Sequence, residues 1–255
     1  MKNQLSIIIP VLNEADNIAL LLNHLINNSS PKNSTEIIIV DGGSTDGTLE
    51  KVKAFVTSSV PTFTVGMYRE GEPKPDTQTN IKLLHSPKGR AKQMNLGAKH
   101  ATGNILYFLH ADSFPPKNFD ALIINEIEKG NQAGCFRLQF DSKHWWLRLA
   151  SWLTQFSWRA CRGGDQSQFI TKKLFDDIGG YDENYTIYED NILINELYAR
   201  KKFVVIQEKI KTSARLYQKH GVWKLQYHFW TIYVKKWFGA SADELYNYYK
   251  KHIAL

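Results

Sequence analysis

This sequence predicts an α/β fold on a mixed, mostly parallel sheet flanked by helices, and three observations carry that expectation. Short, unbroken β-branched runs at residues 6–10 (SIIIP) and 37–40 (IIIV) have the composition of strands buried on both faces. Between them, Ile18, Leu21, Leu22, Leu25 and Ile26 fall on one helical stripe, as expected of a helix covering a sheet. The second run ends on Asp41 and the pair Gly42-Gly43, where a tight turn brings backbone close to whatever lies beyond the strand. Ser44, Thr45 and Asp46 then offer N-caps for a helix over residues 47–56. Ligands of open parallel sheets bind beyond the carboxyl ends of the strands, which puts Asp41 and Gly43 beside a candidate nucleotide crevice. A plain βα turn with a capping aspartate explains the same residues.

The remaining elements come in chain order. Pro10 stops the first strand, because it has no N–H for the ladder, and a loop VLNE ends on Glu14. Residues 57–80 hold no lasting period and read as a surface loop with one short strand at 62–67. A strand at 81–84, a helix at 89–100 with Ala91, Met94 and Ala98 inward, and a strand at 104–109 continue the alternation. Further on come a helix at 117–129, a strand at 132–140, an aromatic and basic helix at 143–162 and a strand through QSQFIT. A helix opens at Glu189, and residues 203–206 and 211–216 read as two late extended segments.

Composition narrows the partners. A chain of 255 residues is long enough for a substantial core, and its net charge of +7 suits phosphates, an anionic membrane or nucleic acid without choosing among them. Cys135 and Cys161 lack metal or disulfide spacing, and the apolar run at the N-terminus is too short for a secretion signal, so a cytoplasmic setting is expected. Neither GxGxxG nor GxxxxGK[ST] occurs after any strand, which removes the usual signs of a dinucleotide oxidoreductase or a P-loop NTPase.

Directly after the strand at 104–109 stand His110, Ala111, Asp112 and Ser113. A carboxylate there can hold a divalent cation against a diphosphate, although Asp112 and Ser113 also read as caps ahead of Pro115 and Pro116.

Together SIIIPVLNE (6–14), DGGSTDGT (41–48), SPKGRAKQMNLGA (86–98), LHADS (109–113), GGDQSQF (163–169) and YEDNILI (188–194) resemble the family 2 glycosyltransferases. The HAD segment at 110–112, GRAKQMNLGA at 89–98 and TSAR at 212–215 together look like a subgroup of small single-domain bacterial members. The resemblance implies a GT-A fold and an inverting transfer from a nucleotide-diphosphate sugar, with a UDP-sugar as donor and a hydroxyl acceptor of unknown identity. It implies no nucleic-acid partner. Pro10, Glu14, Asp41, Gly43, Arg90 and Asp112 match positions around the nucleotide, and Asp112 matches the last aspartate of a DxD motif that binds Mn²⁺ or Mg²⁺. His110 stands where that motif has its first aspartate. Asp190 of the Glu189-Asp190 pair matches the general base, and Asp165 is a rival carboxylate. Read on position alone, Glu189 and Asp190 are first-turn acids favourable to a helix dipole, and Asp165 belongs to a glycine turn. His220, beyond TSAR, is a further metal-ligand candidate or an ordinary surface histidine. A sugar nucleotidyltransferase would share much of this fold but needs a Gly-rich basic loop where this chain has PVLNE. A catalytically silent nucleotide-sugar binding protein would keep the crevice and lose the base.

The expected organisation is a transferase domain over 1–220, split at 113 into nucleotide-sugar and acceptor halves, and a helical extension over 221–255. In residues 222–238, Lys224, His228, Thr231 and Lys235 form one narrow polar stripe in an otherwise apolar and aromatic helix. Its lysines and its length exclude a membrane span. The arc must therefore pack on the catalytic domain or rest on the anionic inner face of the cell membrane. Gly239 ends this helix and Ser241 to Glu244 form a capping box for the last one.

Overall fold

The computed structural model describes residues 3–59 and 80–254, so the strand read at 62–67 lies outside the described residues. In the first half, β1 (Leu5–Val11), α1 (Ile18–Asn28), β2 (Thr35–Asp41), α2 (Thr48–Ser59), β3 (Asn80–His85), α3 (Arg90–His100) and β4 (Ile105–Phe108) alternate. Their strands are parallel neighbours in the order β3-β2-β1-β4. The second half adds β5 (Ser113–Phe114), α4 (Phe119–Glu128), β6 (Ala133–Phe140), α5 (Trp145–Leu153), β7 (Gln168–Thr171), α6 (Lys172–Ile178), α7 (Glu189–Ala199) and β8 (Phe203–Thr212). Here β7 runs antiparallel between β4 and β6, β8 joins β6 in parallel, and β5 closes that edge antiparallel to β8. The sheet is thus mixed and mostly parallel, as expected.

The unbroken isoleucine runs are explained by the two cores. Ile7, Ile9, Ile37 and Ile39 enter the layer shared with Leu21, Leu25 and Phe119, whereas Ile8, Ile38 and Val40 enter the opposite layer with Met94 and Leu197. A strand covered on both sides has no polar face, so its sequence cannot alternate. Helix α3 sits so close to β1 that a Cβ on Gly97 would lie 2.4 Å from Ile8 Cγ2. That approach positions the N-terminus of α3 at the carboxyl ends of β1 and β2.

Four elements differ from expectation. Ser113 caps no helix but pairs with Thr212 in β5, and α4 starts only at Phe119, behind Asn118. The single helix expected over 143–162 ends at Leu153, because Arg162 folds back and its buried guanidinium donates to Thr154 O (2.6 Å) and Phe156 O (2.8 Å). Those carbonyls are thereby satisfied outside a helix. The two late segments at 203–206 and 211–216 are one strand, β8, which then gives way to α8 (Arg215–His220). Register jumps from Phe136↔Ile206 to Arg137↔Lys209, so β8 carries two extra residues there, and this irregularity is what broke its apolar pattern. Helix α6, capped by the Thr171 side chain on Leu174 N–H, has no counterpart among the sequence expectations.

At the C-terminus α9 (Val222–Trp237) and α10 (Ala242–His252) pack as a pair, with the expected capping box at Ser241 and Glu244 present. The burial of α9 is not the one its stripe suggested. Leu225 and Ile232 are enclosed against Leu245 and Ile253, and Phe229 is partly covered there. His228 of the polar stripe is covered too, its Nδ1 lying 2.8 Å from the Tyr248 hydroxyl of α10. Much of the aromatic arc stays open, with Trp237 and Phe238 each 82% exposed. No helix among the described residues is long and apolar enough to cross a membrane.

Candidate active site

Two loops meet where β1 and β2 end. Asp41, only 2% exposed, accepts from Gly43 N–H (2.9 Å) and Ser44 N–H (3.1 Å), so its carboxylate closes the turn beyond the strand. β1 runs one residue past the stop expected at Pro10, to Val11 paired with Asp41, and the loop that follows to Glu14 is stitched to that turn. Asn13 N–H donates to Ser44 Oγ, Thr45 N–H to Asn13 Oδ1, Glu14 N–H to Thr48 Oγ1 and Ala15 N–H to Asp46 Oδ2. Beneath them the buried Gln93 of α3 donates through Nε2 to Val11 O (2.8 Å) and Val40 O (2.7 Å), tying the strand ends together. Gly42 is what leaves room for it, since a Cβ there would lie 3.0 Å from the Gln93 amide. Gln93 stands inside the segment at 86–98, where sequence alone gives it no role, because its two acceptors are backbone atoms far along the chain.

The second cluster joins α3 to α7. Arg90, at the first turn of α3, places Nε 3.2 Å from Glu189 Oε1 and Nη1 3.5 Å from Asp190 Oδ2. Both acids occupy the first turn of α7 and are buried. They are therefore first-turn acids and partners of a cation at once. The Glu189 charge beside Arg90 holds its guanidinium above the usual range. Burial, reinforced by Glu189 and opposed by Arg90, pushes the Asp190 carboxyl up to about 7. A carboxylate poised there can take a proton near neutral pH. The loop GGYD at residues 179–182, between α6 and α7, is held to α3 by Asn95, which accepts from Tyr181 N–H and donates to Tyr181 O.

The third cluster lies after β4. His110 Nδ1 is 3.8 Å from Asp165 Oδ1, so the rival carboxylate faces the histidine of the HAD segment. Burial, with Arg90 and Arg215 nearby, lowers the His110 pKa to about 3, leaving a neutral imidazole. Asp112 is raised to about 6 by burial, against the pull of Arg215. That arginine, the last residue of TSAR, forks onto Glu14 through Nη1 to Oε2 (2.9 Å) and Nη2 to Oε1 (2.5 Å), and its Nη2 lies 3.3 Å from Asp112 Oδ2. Sequence alone gives it no role, since Glu14 and Arg215 are separated by 201 positions. Among the described residues no three His, Cys, Asp or Glu side chains group to hold a metal, and His220 does not complete such a set. A neutral imidazole and one carboxylate are nonetheless donors that Mn²⁺ accepts, so His110 and Asp112 are the side chains here that could hold such an ion.

Known proteins share this architecture. Residues 6–182 match the family described as Glycosyl transferase family 2. The chain belongs to that family. Among relatives of this glycosyl transferase family 2 protein, Glycosyltransferase AglE of Haloferax volcanii is 33% identical over 112 residues, covering 43% of this chain and 31% of AglE. A Methanococcus voltae relative is matched over 33% of its length, so the chain spans about a third of these two curated relatives. Its fold is GT-A. It superposes on S. aureus TarS 1–349 in complex with UDP at a TM-score of 0.63 and 17% identity, over 83% of this chain and 60% of that one. On the mannosyltransferase PcManGT of Pyrobaculum calidifontis, in complex with GDP-Man and Mn²⁺, the TM-score is 0.63 at 18% identity, over 100% of this chain and 65% of that one.

Proposed function

We propose that this family 2 protein transfers a sugar, with inversion, from a nucleotide-diphosphate donor, a UDP-sugar, to a hydroxyl acceptor. The observation that carries the reading is the buried pair Glu189 and Asp190 facing Arg90 at the first turn of α3, with the Asp190 carboxyl raised to about 7. Asp190 takes the proton of the acceptor hydroxyl as its oxygen attacks the anomeric carbon from the face opposite the diphosphate. The bond from that carbon to the diphosphate oxygen breaks, and the nucleoside diphosphate leaves with the electron pair. Arg90 holds Asp190 in place, and Glu189 shares its guanidinium so that the base is oriented without being fully neutralised. Asp41 and Gly43 with the VLNE loop from Pro10 to Glu14 form the base and ribose floor. Arg215 brings positive charge to the diphosphate once its carboxylate partners are exchanged for phosphate oxygens.

His110 and Asp112 would hold a divalent cation, Mn²⁺ or Mg²⁺, as PcManGT holds Mn²⁺ with GDP-Man. A bound divalent cation supplies charge that offsets the departing diphosphate. Asp165, against His110 and close to the outside, orients that histidine. The aromatic outer arc of α9 rests on the anionic inner face of the cell membrane, where tryptophan rings and lysines settle at the headgroup level. The test is UDP release from a panel of UDP-sugars with and without Mn²⁺, run beside Asp190→Asn. Donor-dependent UDP release that the variant loses supports the reading, and equal release by both proteins overturns Asp190 as base.

A further inference from the structure

Along the outer side of α5, facing β6 and β8, runs a groove of about 630 Å³ that the transfer site does not use. Arg137, Lys143, Arg148 and Lys209 line it, with Trp145 and Trp152, and no acidic side chain does. Among the described residues none of the four cations forms an ion pair. Clustered cations without counter-charge repel one another and attract an anion from outside. Arg137 sharpens the point, because its Nε is buried with no hydrogen-bond partner, an arrangement that costs stability until an acceptor arrives. Trp145 and Trp152 are 60% and 52% exposed, so the same groove presents apolar rings to its occupant. An anionic head on an apolar stem satisfies both halves of this surface. Guanidinium favours phosphate in particular, because its paired N–H groups match two phosphate oxygens.

Two contacts place the groove in the molecule. Phe140, also in its lining, packs edge-on to Tyr217 at 5.4 Å between centroids, and Tyr217 lies two residues beyond Arg215 on α8. Trp145 stands 5.7 Å from Trp223 at the start of α9, which makes the groove rim continuous with the open aromatic arc. The groove therefore lies beside α8, which carries Arg215, and beside a surface suited to lipid. We propose that this groove binds the phosphate headgroup of an amphiphilic lipid, its cations on the phosphate and its tryptophans against the apolar stem. That the lipid is the sugar acceptor rests on the transferase reading above.

Calorimetry on the full chain tests it with dihexanoyl phosphatidic acid below its micelle concentration, dihexanoyl phosphatidylcholine and inorganic pyrophosphate. Arg148 and Lys209 are exposed, so Arg148→Gln/Lys209→Gln leaves the fold intact. Phosphatidic acid is expected to saturate one site about tenfold or more tightly than either of the other probes, and the double variant to weaken it about tenfold while UDP affinity is unchanged. Equal binding of phosphatidylcholine, or phosphatidic acid binding untouched by the variant, overturns the groove. Pyrophosphate binding as tight as phosphatidic acid overturns the lipid assignment. UDP binding is measured on the same samples: if UDP fails while phosphatidic acid behaves as expected, the transferase reading falls and the groove stands.

Discussion

Asp190→Asn separates the chemistry of this carboxyl from its effect on stability. Asp190 faces Arg90 of α3 and its neighbour Glu189, and its charge is felt at Asp165, Tyr181 and Tyr233. Burial is the largest influence on it, and its pKa rises from 3.8 to about 7 on folding. The native state therefore holds the proton more tightly than the unfolded chain. The stability this confers is complete below about pH 4 and is lost as pH rises through about 7. A buried carboxyl raised this far is worth on the order of a few kcal/mol, most of which disappears between pH 5 and pH 8. Asparagine keeps the shape and cannot ionise, so the variant should gain on the parent protein across that interval, roughly 5–10 °C in melting temperature for a chain of this size. Activity should move the other way: parent kcat/KM climbs with pH around 7 as the base ionises, and the variant loses roughly 10² to 10⁴ in turnover while binding UDP normally. Melting curves and initial rates from pH 5 to 8 check both. A melting difference between the two proteins that is the same at pH 5 and pH 8 would refute the titration argument, whatever the rates do.

Three other perturbations have defined outcomes. Arg215→Gln removes the fork onto Glu14 and the cation beside Asp112, and calorimetry should find UDP bound about tenfold or more weakly; unchanged affinity would mean the arginine only anchors α8. Gly42→Ala drives a methyl to 3.0 Å from the Gln93 amide and disturbs its bonds to Val11 and Val40, which should cost about 1–3 kcal/mol in urea unfolding. Trp237→Ser/Phe238→Ser changes two side chains that are each 82% exposed, so melting should stay put while sedimentation with vesicles containing phosphatidylglycerol falls; undiminished sedimentation removes α9 from the membrane contact.

What the sequence shows and what it conceals divide along a physical line. Residues 6–10 and 37–40 declare buried parallel strands because burial on two faces is written into a contiguous run. Ser241 and Glu244 declare a helix start because a capping box spans three residues. Asp41, Arg90, Asp112 and Asp190 are legible through six short motifs, each local. The features missed depend on partners that only folding supplies. Arg162 ends α5 by reaching back to Thr154 O and Phe156 O, and the register jump at Phe136/Arg137 joins what looked like two segments into β8. On α9 the polar stripe is legible but not its fate, because His228 finds the Tyr248 hydroxyl only once α10 has folded back over it. The site itself is made the same way. Each of its two arginines is shared by two carboxylates, Arg90 by Glu189 and Asp190 and Arg215 by Glu14 and Asp112. A cation shared in this way is held in place yet is not irreversibly committed to one anion, so under the proposed function a diphosphate would recruit Arg215 while Glu14 and Asp112 exchange partners. The first loop and the TSAR segment thereby meet over the crevice, although nothing in either stretch by itself points to the other.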